Sequence, residues 1–351
     1  MRKLTLVLLA WLPILAHADW EAISPGGATQ CAYGTPYTFF VRKADPARVL
    51  VFFQGGGACW SSQNCDLKSR PSFDPFVGES DNPAANPHGI FDFDNPANPL
   101  ADFTMLFVAY CSGDVHLGDV ARDYPIRDET GYDKRLHIEH RGYANAMAAL
   151  SWLASNTSPR QLVVAGASAG SIAAPFYGDW LGKRYPDADL VVFSDASGGY
   201  EARAVTNLLE NWGTMRLART ELGYNERTLA NLRFEDIAIA AAKHHGRMRF
   251  GQYNAAFDES QSFFLTQLGV TTPLAGHLKA NEKIMARGMA RFSSYLDNGR
   301  QHMVLEFDRF YEKRVDGISV ASFLSMLVGG KSPGSVACDP CSINMEADDD
   351  A

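Results

Sequence analysis

The sequence predicts an α/β protein in which a mainly parallel sheet is flanked by helices. Runs of β-type residues recur along the chain with helical patterns between them, and several runs are unbroken apolar stretches rich in Val and Phe. Strands with one wet face alternate apolar and polar residues, whereas strands without alternation are covered on both faces. A third observation puts chemistry on this frame: a serine flanked by glycines stands where one such run ends and a helix begins.

In chain order the expected strands are Tyr37–Lys43, Arg48–Phe53, Thr104–Ala109, Gln161–Ala165, Leu190–Ser194, Met248–Tyr253 and Arg291–Leu296. His140–Leu153 carries apolar residues at Tyr143, Met147, Leu150 and Leu153, close to the helical period. Helices are also expected after Ser168, over Leu274–Met289 and over Val320–Val328. Pro71–Asp102 holds six prolines and has no sustained period, yet Phe73, Phe76, Phe91 and Phe93 are spaced through it. So many aromatics predict an ordered excursion over one face rather than a linker. With no internal repeat, residues 19–351 are expected to form one domain.

The chain opens on Met1-Arg2-Lys3, continues with an apolar run from Leu4 to Leu15, and reaches Ala16-His17-Ala18. A basic start, a short apolar core and small residues at the end predict a removable secretory signal over residues 1–18. The protein is then expected outside the cell or in the periplasm, as a monomer. No later segment reads as a membrane span. Removing the leader leaves 333 residues with 30 basic against 40 acidic side chains, a formal charge of −10. Without a basic tract to displace counterions, nucleic acid is not an expected partner.

Six cysteines in an exported chain read as disulfides. Cys59 and Cys65 bracket a short polar loop and form the first expected pair. Cys338-Asp-Pro-Cys341 could be a redox or zinc half-site, but reads more simply as a local disulfide. Cys31 with Cys111 would complete the set, although Cys338 or Cys341 could take either partner.

Gly166-Ala167-Ser168-Ala169-Gly170 follows the run Gln161–Ala165 and precedes a helical stretch. This strand–turn–helix setting is that of the nucleophile elbow, so an α/β-hydrolase-like arrangement is expected. A serine hydroxyl needs a base to take its proton and an acid to orient that base. In the order Ser, acid, His, the histidines downstream are His244, His245, His277 and His302. His244 and His245 precede a strand, at the wrong edge of the sheet, and His277 lies in a helical pattern. His302 follows a late strand across Asp297-Asn298-Gly299-Arg300, where a base belongs. Two acids follow strands at suitable places, Asp258 and, one strand earlier, Asp195; Asp258 fits the acid position better. Backbone N–H groups for an oxyanion hole can come from Ala169 and from Gln54-Gly55-Gly56-Gly57, directly after a strand. His137-Ile-Glu-His140 suggests a metal pair but lacks a third ligand.

Gly55-Gly56-Gly57-Ala58-Cys59 with Cys65, Tyr110-Cys111-Ser112-Gly113-Asp114-Val115, Ser194-Asp195-Ala196 and the Ser168 pentapeptide together resemble the pectin acetylesterase and Notum carboxylesterase family. The likeness runs from about Cys31 to His302. It implies Ser168 as nucleophile, Asp258 as acid, His302 as base, and Gly56, Gly57 and Ala169 as the oxyanion hole. It also implies no metal or cofactor. Departures from the family pattern fall at Ala58, with Trp60 following, at Ser171 and at Met303. The expected function is removal of a short acyl group, acetyl first, from a carbohydrate or similar alcohol, the ester being a small molecule or part of a polysaccharide. The alternatives are a lipid-acyl or polyester esterase, and a non-catalytic glycan binder using the aromatics of Phe73–Phe103.

Overall fold

The computed structural model describes residues 20–69, 71–127, 133–200, 202–224 and 231–341; the expected leader, residues 1–18, lies outside them. The strands are β1 (Glu21–Ile23), β2 (Phe39–Arg42), β3 (Asp45–Phe53), β4 (Phe103–Val108), β5 (Val120–Arg127), β6 (Asp133–His140) and β7 (Gln161–Ala167). They continue with β8 (Asp189–Asp195), β9 (Arg249–Ala255), β10 (Phe292–Asp297), β11 (Arg314–Val315), β12 (Ile318–Ser319) and β13 (Ser335–Ala337). Nine of these described strands form one sheet in the order β1-β2-β4-β3-β7-β8-β9-β10-β13. From β4 to β13 each neighbouring pair is parallel, and β2 and β1 add an antiparallel edge. All seven expected strands are present, with ends within three residues of those read from the sequence.

The unbroken apolar runs have the cause expected of them. In β8 successive side chains point to opposite faces. Val192 packs against Gly178 of the helix Ala169–Arg184, while the Phe193 ring meets Phe323 of the helix Val320–Val328 at 6.4 Å. Helices therefore cover both faces of the central strands, and all seven residues of β9 are buried. The expected helices appear as Gly142–Asn156, Leu274–Gly288 and Val320–Val328. Not anticipated were the β5–β6 hairpin, the short edge strands, and the helices Ala202–Asn211, Thr214–Leu222, Phe234–His244 and Glu259–Gln267.

The proline-rich excursion is ordered and turned inward. Phe73, Ile90, Phe91 and Leu100 are buried, and Phe93 lies under the Arg42 guanidinium at 3.6 Å. Asn98 Nδ2 donates to the carbonyls of Ile90 and Asp92, both at 2.9 Å, and so folds the segment on itself. Of the aromatics within it Phe76 is 41% exposed and Phe93 partly buried, while Phe73 and Phe91 are buried. Phe73 and Phe91 are therefore built into the core.

Disulfides join Cys31–Cys111, Cys59–Cys65 and Cys338–Cys341. No described helix is long and apolar enough to cross a membrane.

Candidate active site

β7 ends at Ala167 and the helix Ala169–Arg184 starts at once, with Ser168 between them at φ 50°, ψ −117°. A residue with a Cβ is strained at this φ, and the surroundings enforce it. The turn brings helix and β3 so close that a Cβ on Gly170 would stand 2.0 Å from the Phe53 carbonyl oxygen. Ser168 N–H donates to the Asp195 carbonyl at 2.8 Å, and the Ser171 hydroxyl donates to the Ser168 carbonyl at 2.5 Å. The departure at Ser171 thus supplies an extra tie for the elbow.

The glycine loop after β3 lies against that elbow: a Cβ on Gly55 would be 3.2 Å from Ser168 Cβ. Gly57 has φ +75°, and a Cβ there would fall 2.2 Å from the Ser72 carbonyl oxygen, so a larger residue cannot hold this path. Gly56 lies against the Tyr110 ring. Gln54 anchors the loop, with its Oε1 accepting Tyr110 N–H at 2.8 Å and its Nε2 donating to Asp81 Oδ1 at 2.9 Å. Its main-chain oxygen is 2.8 Å from His116 Nε2, which must carry the hydrogen because a carbonyl only accepts. Burial pushes the His116 imidazole down to about 4, in keeping with a neutral donor. Neighbouring Asp114 accepts Ser112 Oγ–H at 2.6 Å and Gly142 N–H at 2.8 Å, and burial raises its carboxyl to about 6. Tyr110, Asp114 and His116 were not singled out as support from sequence.

His302 follows β10 and lies beside Asp258. His302 Nδ1 is 2.7 Å from Asp258 Oδ2. Asp258 is fully buried and caps the helix Glu259–Gln267, accepting Gln261 N–H at Oδ1 (2.8 Å) and Gln261 Nε2–H at Oδ2 (3.0 Å). The two loops are also stitched by Phe257 N–H to Gly299 O at 3.0 Å. Asp195 takes no part in that pair. Its Oδ2 accepts the N–H groups of Val304 and Leu305 at 2.8 and 2.9 Å. Of the two carboxylates left open by the residues, the one on the imidazole is Asp258.

His302 Nε2 is buried and has no hydrogen-bond partner among the described residues, Ser168 Oγ included. The segment is nonetheless at the elbow, since Met303 Sδ and Ser168 Cβ both lie within 3.2 Å of the Cβ position on Gly55. Catalytic hydrogen bonds often stay open until substrate binds. Arg309, also not foreseen, donates to the carbonyls of His302 (2.8 Å) and Met303 (3.0 Å).

Beside Ser168 opens a pocket lined by Trp60, Ile172, Leu208, Trp212, Phe234 and Phe264, with Gly57 and Ala169 also in its lining. Its free space is about 30 Å³, on a scale where one water needs roughly 10–15 Å³. Trp212 Nε1 donates to the Cys59 carbonyl at 2.8 Å, pinning the wall to the disulfide loop that carries Trp60. The residues 205, 208, 209 and 212 are spaced as one helix face, a signal that could have found this wall.

The remaining histidines lie elsewhere. His244 and His245 both contact Asp179, and His277 contacts Thr272 near the surface. His137 engages Asp123 and Glu139, whereas His140 is buried against Tyr124 and Ser112, so neither ring offers a free nitrogen to a shared metal.

Strand ends from β3, β4, β7, β8, β9 and β10 thus converge on one edge of a parallel sheet, where such folds build their sites. This is an α/β-hydrolase-like esterase fold. The chain belongs to the pectinacetylesterase family, whose model matches residues 24–328. It is also similar to the inactive palmitoleoyl-protein carboxylesterase notum1b of Danio rerio, 27% identical over 125 residues that span 35% of this chain and 87% of that protein.

Proposed function

We propose that the protein is an exported serine carboxylesterase that removes a short acyl group, acetyl first, from a carbohydrate or similar alcohol. Ser168 Oγ attacks the ester carbonyl carbon while His302 Nε2 takes its proton. The Asp258 carboxylate holds Nδ1–H and steadies the imidazolium. The amides of Gly56, Gly57 and Ala169 receive the developing oxyanion, the last from the first turn of a helix, where N–H groups lack carbonyl partners. Collapse of the tetrahedral intermediate breaks the bond to the alcohol oxygen, which leaves with the proton from His302. Water then repeats the sequence on the acyl-enzyme and releases the carboxylic acid.

The observation that carries the reading is the 2.7 Å Asp258–His302 contact on the sheet edge that also bears Ser168. The apolar side chains of Trp60, Trp212 and Phe264 beside Ser168, with about 30 Å³ of free space among the lining, support a short acyl group seated there. Three disulfides agree with export. A panel of aryl esters from acetyl to long-chain, run beside acetylated polysaccharides, tests the proposal. Turnover should be highest for the shortest acyl groups and fall with length. A preference for long chains would contradict the acyl assignment, and no hydrolysis of any ester would contradict the function.

A further inference from the structure

Asp195 has no role in the chemistry just described, yet its carboxylate is fully buried, which is costly unless the group is held. One oxygen accepts two main-chain N–H groups, from Val304 and Leu305, and the other, Oδ1, is buried with no hydrogen-bond partner among the described residues. The main-chain oxygen of the same residue accepts Ser168 N–H at 2.8 Å. A single residue therefore grips the elbow with its backbone and the segment just beyond His302 with its side chain.

That segment needs a grip. Met303 lies between His302 and the two amides with φ 62°, a region that side-chain-bearing residues avoid. Backbone held in such a conformation relaxes unless its surroundings over-determine it. Arg309 fixes the carbonyls of His302 and Met303, and Asp195 fixes the amides of Val304 and Leu305. Burial pushes the Asp195 carboxyl up to about 6, against the pull of the two amides, His302 and Arg309.

We propose that Asp195 is a positioning residue: by holding the Val304 and Leu305 amides from the strand end that also holds Ser168, it sets the distance between Ser168 and His302. The role rests on the reading of Ser168 as nucleophile and His302 as base, and it requires no contact with substrate.

Steady-state kinetics on one short-chain aryl ester test it, with folding checked by circular dichroism. Asp195→Ala loses both amide contacts, so kcat should fall about 100-fold, the scale expected when a reacting group is misplaced by about 1 Å. KM should stay within about threefold, since no pocket residue is touched. Asp195→Asn keeps a side-chain oxygen that can accept both N–H groups, so kcat should return to within about tenfold of the wild type. Wild-type kcat in folded Asp195→Ala would overturn the role. A loss in Asp195→Asn as large as in Asp258→Asn would overturn it too, because the charge and not the held loop would then matter. If Asp195→Ala does not fold, Asp195→Asn decides alone: kcat within about tenfold of the wild type with unchanged KM is the expected result, and a loss as large as in Asp258→Asn overturns the role. Ser168→Ala is measured alongside. Turnover surviving there would sink the reading of the whole site, whereas its loss there with unchanged kcat in Asp195→Ala would sink the positioning role alone.

Discussion

Asp258 Oδ2 stands 2.7 Å from His302 Nδ1, and the other oxygen of the same carboxylate caps a helix through Gln261 N–H at 2.8 Å. The carboxylate is held from two directions and cannot swing away without uncapping the helix. A carboxylate only accepts, so Nδ1 carries a hydrogen in this contact, and Nε2 is buried with no hydrogen-bond partner among the described residues.

Asp258→Asn should therefore leave the fold nearly intact while favouring the wrong tautomer of His302. The expected loss in kcat is on the order of 10⁴-fold. Loss of the charged cap should cost about 1 kcal/mol or less in stability. Kinetics on folded protein, with a denaturant melt beside them, check both numbers. A variant within tenfold of the wild type would show that Asp258 does not orient the base.

Gly57→Ala tests the oxyanion loop. The added methyl meets the Ser72 carbonyl at 2.2 Å while the backbone sits at φ +75°, so the loop must move. Displacing one donor should reduce kcat by about 10²–10³-fold. Unchanged kcat in the folded variant would remove this loop from the mechanism.

Replacing Cys59 and Cys65 together by Ser opens a loop with a sequence separation of 6 and should cost roughly 2 to 3 kcal/mol in denaturant unfolding. Because Trp212 hangs on the Cys59 carbonyl, KM for short aryl esters should rise more than kcat falls. A variant with wild-type stability would contradict the structural weight given to this bridge.

The pH dependence of stability carries a signature of His116. Burial lowers its imidazole to about 4 from an ordinary 6.5, so its stabilising contribution is complete above 6.5 and is lost as pH falls toward 4. Relative to His116→Gln, which has no proton to take up, the wild type should lose about 3 kcal/mol between about pH 7 and pH 4. Denaturant melts at the two pH values measure this. Equal losses in both proteins would place the His116 ring in contact with water.

Much of this architecture was legible because its signals are local. Strands buried on both faces announce themselves as unbroken apolar runs, and the Ser168 elbow is a pentapeptide between one such run and a helix. Chain order left four histidines, and His302 was singled out by its place after a late strand and the Asp297-Asn298-Gly299-Arg300 turn. The choice between Asp258 and Asp195 was harder, since both follow strands and both are buried. What separates them is the partner each carboxylate finds, Gln261 and His302 for one, the Val304 and Leu305 amides for the other. Those partners are distant in sequence from Asp195 and carry no local mark. The pocket wall was missed for a related reason: a helical spacing at 205, 208, 209 and 212 reveals a face but not what it covers. The β5–β6 hairpin alternates charged residues such as Arg122, Asp123, Lys134 and Arg135 with few apolar ones, so it resembles a polar loop. The inward direction of Phe73 and Phe91 in the excursion was likewise invisible.

The central claim is that the acyl group passes through Ser168 Oγ. Mass spectrometry of protein quenched in acid during turnover of an activated aryl acetate tests it most directly. The account predicts one added acetyl group on the peptide containing Ser168 in the wild type, and neither adduct nor turnover in folded Ser168→Ala. An unmodified Ser168 in the wild type, together with hydrolysis at the wild-type rate by Ser168→Ala, would contradict it.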